Sequence, residues 1–183
     1  MTPSLEVAAG VVAFWEAAGA ERWFSKSAEF DEKIRARYLP LVERAARGEL
    51  DGWTDEREGS LALLLLTDQF PRNLFRGSPR AFATDAQALA IARHAVEQGF
   101  DMAWEKPLRT FYYLPWMHSE RLEDQRRCVE LSKNANEATQ RAAREHLAII
   151  ERFGRFPHRN AALGRATTPE EAAFLALPES FKG

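Results

Sequence analysis

Phe30-Asp31-Glu32-Lys33-Ile34-Arg35-Ala36-Arg37-Tyr38-Leu39-Pro40-Leu41-Val42-Glu43-Arg44-Ala45 decides the fold class. Phe30, Ile34, Tyr38, Leu41 and Ala45 recur at steps of four, four, three and four, which lays them along one side of an α-helix. A strand would need apolar residues at every second position. The spacing predicts a helix that starts near Ser27, closes at Gly48, and kinks or breaks at Pro40.

Helical periodicity extends outward in both directions, and strand signals are nearly absent. Upstream, Leu5 to Ala18 reads as a helix with its mass in Val11, Val12, Phe14 and Trp15. Downstream, Glu58 to Phe70 is apolar nearly all round from Leu61 to Leu66, so this helix is expected to be central, with Pro71 ending it. Thr84-Asp85-Ala86-Gln87 reads as a capping box opening a helix that Gly99 closes. A shorter helix is predicted from near Pro107 to Pro115, carrying Phe111, Tyr112, Tyr113 and Leu114. Ser119 is expected to cap Glu120 to Lys133. Glu137 to Phe153 follows, with Leu147, Ile150 and Phe153 on one face and Gly154 as its stop. Thr168-Pro169-Glu170-Glu171 is a second capping box, with Pro at N1, before a short last helix. The expectation is an all-α chain forming one domain over residues 1–183. Short turns favour a tetratricopeptide-like array of antiparallel helix hairpins, with a compact helical bundle as the alternative. The Ala-rich stretch from Ala83 to Gly99 is similar to a tetratricopeptide helix, but no strict repeat of about 34 residues is present.

Composition excludes several classes. Of 183 residues, 45% are hydrophobic and 28% charged, with a net charge of -2, so nothing draws the chain as a whole to nucleic acid or a membrane. The longest strictly apolar run, Leu61 to Leu66, is far too short to span a bilayer. Glu6 and Glu16 flank the first apolar stretch and no basic n-region precedes it, which argues against a secretory signal. A single cysteine, Cys128, allows no internal disulfide and suits a reducing cytoplasm.

The basic residues are 20 Arg against 5 Lys, and this bias matters because of where the arginines fall. Phe70-Pro71-Arg72-Asn73 is echoed by Phe156-Pro157-His158-Arg159-Asn160. Around the first corner Arg72, Arg76 and Arg80 occur with no acid between them. Around the second, Arg152, Arg155, Arg159 and Arg165, with His158, fall within 14 residues, again without an acid. Cations so dense repel one another unless carboxylates or a bound anion neutralise them. Two readings follow: the arginines cap helix ends and pair with acids such as Asp68, Glu120 or Asp85, or they form a pocket for phosphate, carboxylate or nucleotide.

A third segment, Leu114-Pro115-Trp116-Met117-His118-Ser119-Glu120, offers His118 as a general base beside a carboxylate. As a metal site it is weak: His118 and Glu120 would not share a helix face, and no His-Glu-x-x-His spacing exists. His146, on the helix ending at Gly154, reads as a hydrogen-bonded core residue, and His94 as a surface one. Cys128 reads as a buried, inert thiol. Trp15, Trp23, Trp53, Trp104 and Trp116 read as packing anchors, with Trp23, Phe24 and Trp116 as candidates for a pocket wall.

These stretches carry a resemblance. Phe14-Trp15, Trp23-Phe24, Phe30-Asp31, Gly48-Glu49-Leu50, Asp68-Gln69-Phe70-Pro71-Arg72-Asn73, Arg76-Gly77, Ala81-Phe82-Ala83-Thr84-Asp85, Met117-His118-Ser119-Glu120, His146, and Arg152 to Asn160 with Gly164-Arg165 resemble a bacterial family catalogued as a domain of unknown function (number 924). Trp116 and Ala166 stand where Phe and Ser are expected. The resemblance implies an all-α fold similar to tetratricopeptide superhelices, and no settled activity.

Three functions fit the residues. One is a helical scaffold that binds a small anionic molecule or a peptide carboxylate through Asp68, Arg72, Asn73, Arg76, His146, Arg152, Arg155, Arg159 and Asn160. Another is a hydrolase-type enzyme in the same pocket, with His118 or His158 as acid–base group, Glu120 or Asp68 orienting it, and the arginines stabilising developing negative charge. The third, a tetratricopeptide-like protein–protein adaptor, rests on fold analogy. No cofactor and no metal is called for by any motif.

Overall fold

A computed structural model describes residues 5–177 of the chain, and among them there are helices and turns but no strands. Ten α-helices occur in the described residues: α1 Leu5–Ala18, α2 Ala20–Trp23, α3 Ala28–Ala46, α4 Arg57–Leu64, α5 Phe70–Leu74, α6 Asp85–Glu97, α7 Lys106–His118, α8 Leu122–Ser132, α9 Glu137–Phe153 and α10 Pro169–Ala176. None is long and apolar enough to cross a membrane.

The stripe on α3 is buried as expected except at one step. Phe30, Ile34, Tyr38 and Ala45 are buried, but Val42 takes the place predicted for Leu41. The Ser27 hydroxyl accepts from the Phe30 N–H at the start, and Gly48, at φ 75, turns the chain out of the helix. Pro40 does not break α3, which runs through it to Ala46. A single missing backbone hydrogen bond costs less than surrendering the buried stripe on either side.

Pro71 does not end the central helix either. After α4 the backbone widens into a π turn, Leu65–Gln69, and resumes as α5 through Leu74. The Phe70 N–H reaches back five residues, to the Leu65 carbonyl. Thr67, four residues before Pro71, can receive no α-helical N–H from it, and the Thr67 carbonyl accepts the Thr84 hydroxyl. That explains a second correction: Thr84 makes no cap bond to α6 and Gln87 donates to the Ala45 carbonyl, so Thr84 to Gln87 is not a capping box. The box at Thr168 and Glu171 does form. Pro115 likewise lies inside α7, which continues to His118, and α8 starts at Leu122 rather than Glu120. Ser119 donates to Asp124, while the Gln125 amide serves the Met117 and Ser119 carbonyls at the end of α7.

The central position of α4 is as expected: Gly59 through Leu64 are all buried, and α4 touches α1, α6 and α7. From α6 to α9 each helix packs on the next, whereas α1 packs on α4 and α3 on α5. Trp15, Trp53, Phe70, Phe111, Tyr112 and Tyr113 fill the large core. A smaller cluster holds Ile149, Ile150 and Phe156, with Phe153 and Phe174 against it. One Phe-Pro corner is therefore rooted in each core, and the functional side chains lie between the two.

Candidate functional site

The π turn positions Asp68, α5 carries Arg72 and Asn73, the last turn of α7 carries His118, and the 3-10 turn Pro157–Arg159 carries His158 and Arg159. The two corners meet at Asp85, the first residue of α6. Arg72 grips its carboxylate with both terminal nitrogens, at 2.9 and 3.0 Å, and Arg159 reaches the same carboxylate at 3.3 Å. The Phe82 ring lies beneath both guanidiniums, 5.6 Å from that of Arg72 and 4.7 Å from that of Arg159.

Away from Asp85 the corners repeat a second device. Asn73 and Arg76 share Asp31, at 2.7 Å and at 2.6 and 3.0 Å. Asn160 and Arg155 share Glu171, at 3.1 Å and at 2.7 and 2.9 Å. Each asparagine thus steadies a carboxylate that neutralises a neighbouring arginine, and the ion-pairing reading accounts for these four residues.

Beneath Arg72 lies Asp68, with 1% of its side chain exposed. Its carboxylate accepts from the Gln69 amide, lies 3.2 Å from Arg72, and is 2.7 Å from His118 Nδ1. Burial alone would raise its pKa, but Arg72 and His118 overcome that and hold it at about 2. An ionised carboxylate only accepts hydrogen bonds, so His118 Nδ1 must carry the proton. Burial, and then the charge of Arg72, lower the His118 pKa, leaving the ring neutral at pH 7 with its lone pair on Nε2, the nitrogen turned away from Asp68. That is the protonation state of an oriented general base.

The two arginines are not equally neutralised. Arg72 faces Asp68 and Asp85, which lift its pKa against the effect of burial. Arg159 is 6% exposed, hydrogen-bonds to a share of Asp85 and to the His118 carbonyl, at 2.9 Å, and among the described residues its Nε finds no hydrogen-bond partner. Burial and the neighbouring Arg72 charge bring it down to about 10, still protonated at neutral pH. Two further imidazoles are kept neutral here: burial lowers His146 to about 4, and burial with Arg159 lowers His158 to about 3. Each lies against the Phe156 ring, at 5.5 and 5.6 Å.

A cleft of about 450 Å³ opens beside this cluster, lined by Arg72, Asn73, Arg76, His118, His146, His158 and Arg159 from the predicted set, and by Trp23, Phe24, Lys26, Gln69 and Phe82. A second cleft, of about 600 Å³, shares His118, Arg159 and Phe82 with it and is bordered by Asp85 and Glu120. The remaining predicted residues do not line the first cleft. Glu120 is bound by Arg165, at 2.8 and 3.0 Å, and by the Phe156 N–H, so it anchors the second corner while Asp68 is the carboxylate on His118. Arg152 pairs with Glu170 on the surface, Arg155 with Glu171, and Asn160 is buried. Trp116 is buried in the core and does not reach the cleft. Sequence reasoning missed Phe82, Lys26, Asp31 and Glu171 as members of this arrangement. Only their tertiary placement joins them to it. Among the described residues no group of three or more His, Cys, Asp or Glu is arranged to hold a metal ion.

A family model described as bacterial protein of unknown function (DUF924) matches residues 11–179. A solved structure of a protein of unknown function from Agrobacterium tumefaciens is similar over 95% of this chain and 99% of its own, at 46% identity and a TM-score of 0.92. No curated protein matches the chain.

Proposed function

The chain belongs to the bacterial DUF924 family, and from the geometry of its cleft we propose that it binds a small anion, carboxylate or phosphate, between the two Phe-Pro corners. One observation carries this reading: Arg72 and Arg159, from segments 87 positions apart, line one cleft with a single carboxylate, Asp85, shared between them. Arg159 is the less compensated cation, and a guanidinium fork suits planar and tetrahedral oxyanions. The test is calorimetric titration of the chain with inorganic phosphate and with acetate. Binding should weaken about tenfold in Arg159→Lys, which keeps the charge without the fork, and more in Arg159→Gln. No binding of either anion to the wild-type chain would overturn the reading.

The 2.7 Å contact of Asp68 with His118 favours a second reading, ester or phosphoester hydrolysis in the same cleft. His118 Nε2 would take a proton from water as its oxygen attacks the carbonyl carbon or phosphorus, then return it to the leaving oxygen. Turnover of p-nitrophenyl acetate or phosphate should fall at least 100-fold in His118→Gln. The rate of the wild-type chain should fall with acidity below the His118 pKa, which lies under 6.5. Equal turnover by Asp68→Asn and the wild type would rule out this chemistry.

A further inference from the structure

We propose that the ligand is an amphipathic anion, its charged head at the Arg72, His118 and Arg159 end of the cleft and an apolar body lying along Leu114 toward Phe24; this rests on the anion-binding reading above. Phe24 is 65% exposed, the most exposed large hydrophobic among the described residues. It does not dangle. Its ring stacks on the buried Phe111 ring at 6.0 Å and 16°, and meets Trp23 edge-on at 6.5 Å. An aromatic ring held flat and left open is a surface built for contact.

Helix α7 gives the scale. Phe111, Leu114 and His118 lie three and seven positions apart, on one helix face. At 1.5 Å per residue, Phe111, under Phe24, is about 10 Å from His118 along the axis. Leu114 lines the cleft between them, and Ala81, Phe82 and Ala162 add apolar wall. Arg72 and Arg159 lie at the His118 end, Arg76 is neutralised by Asp31, and Lys26 is exposed and well solvated. An inorganic anion at the arginines would leave the Phe24 ring facing water and the cleft beside Leu114 unfilled. An acyl or aryl body of about that length would cover them.

Calorimetry of the full chain with two homologous series tests this: linear carboxylates from acetate to decanoate, and alkyl phosphates from methyl to decyl. Affinity should rise about two- to fourfold per added methylene and level off near the eight-carbon members. Phe24→Ala, at an exposed position, should flatten that rise and leave acetate and methyl phosphate binding unchanged. Short members that bind with no gain along the series would overturn this inference while the anion site stands. So would a length-dependent gain that persists in Phe24→Ala. If no member of either series binds, the anion site itself fails, and this inference with it.

Discussion

Asp85→Asn isolates the electrostatics of the site with little change in shape. The Asp85 carboxylate bridges Arg72 and Arg159, whose side chains are 19% and 7% exposed, against 20% for Asp85 itself. Stripping one partner from a fully buried pair costs about 3–5 kcal/mol, and an exposed pair contributes about 0–1. With about a fifth of Arg72 and Asp85 still in water, the substitution should cost about 2–3 kcal/mol, which for a chain of this size lowers Tm by roughly 4–12 °C. Removing the carboxylate also leaves Asp68 as the one acid hydrogen-bonded or ion-paired to the two guanidiniums among the described residues. Added inorganic phosphate should therefore raise the Tm of Asp85→Asn more than that of the wild-type chain, by mass action on a tighter site. Thermal melts at a series of phosphate concentrations, with chloride matched for ionic strength, read both effects. A loss under about 1 kcal/mol together with equal phosphate response in the two proteins would refute the claim that Asp85 bridges the two guanidiniums and is the carboxylate on which Arg159 depends.

Acid should weaken the fold well before the carboxylates titrate. His146, held to about 4 by burial, binds fewer protons folded than unfolded between that value and 6.5, so stability is lost as pH falls through this window, by about 3 kcal/mol for this group. Urea unfolding at pH 7, 5.5 and 4.5 should show a shallower pH slope in His146→Gln, and parallel slopes would contradict the argument. Cys128, buried and with its thiol pushed up to about 12, should resist a thiol reagent at pH 8 until urea unfolds the chain. Gly59→Ala should destabilise by about 1–3 kcal/mol in denaturant melts, because the added methyl would collide with the Trp53 carbonyl oxygen and lie 2.9 Å from Trp53 Cβ.

Local periodicity was enough for the helices because it is a short-range property. The repeat at Phe30, Ile34, Tyr38 and Ala45 is the buried face of α3, Leu5–Ala18 falls where its apolar mass puts it, and Glu137–Phe153 where its apolar spacing and glycine stop put it. Three of the errors sit at prolines. Pro71, Pro40 and Pro115 each remove a backbone donor, which locally predicts a stop, yet tertiary burial carries all three helices onward. At Pro71 the repair comes from Thr84, 13 positions away, and no local rule contains that hydroxyl.

The site divides the same way. Residue identity marked Arg72 and Arg159, because like charges crowded without nearby acids demand neutralisation from somewhere, and it marked His118 for standing beside Glu120. The sequence by itself determined that the chain is helical and that its arginines cluster at two matching corners. Where the neutralising charges come from was decided only in three dimensions. Asp85 became common to both corners, Asp68 rather than Glu120 met His118, and Arg152 and Arg155 turned away to Glu170 and Glu171. Helical pattern is written in steps of three and four residues, while charge pairing depends on which distant segments the cores bring within about 4 Å.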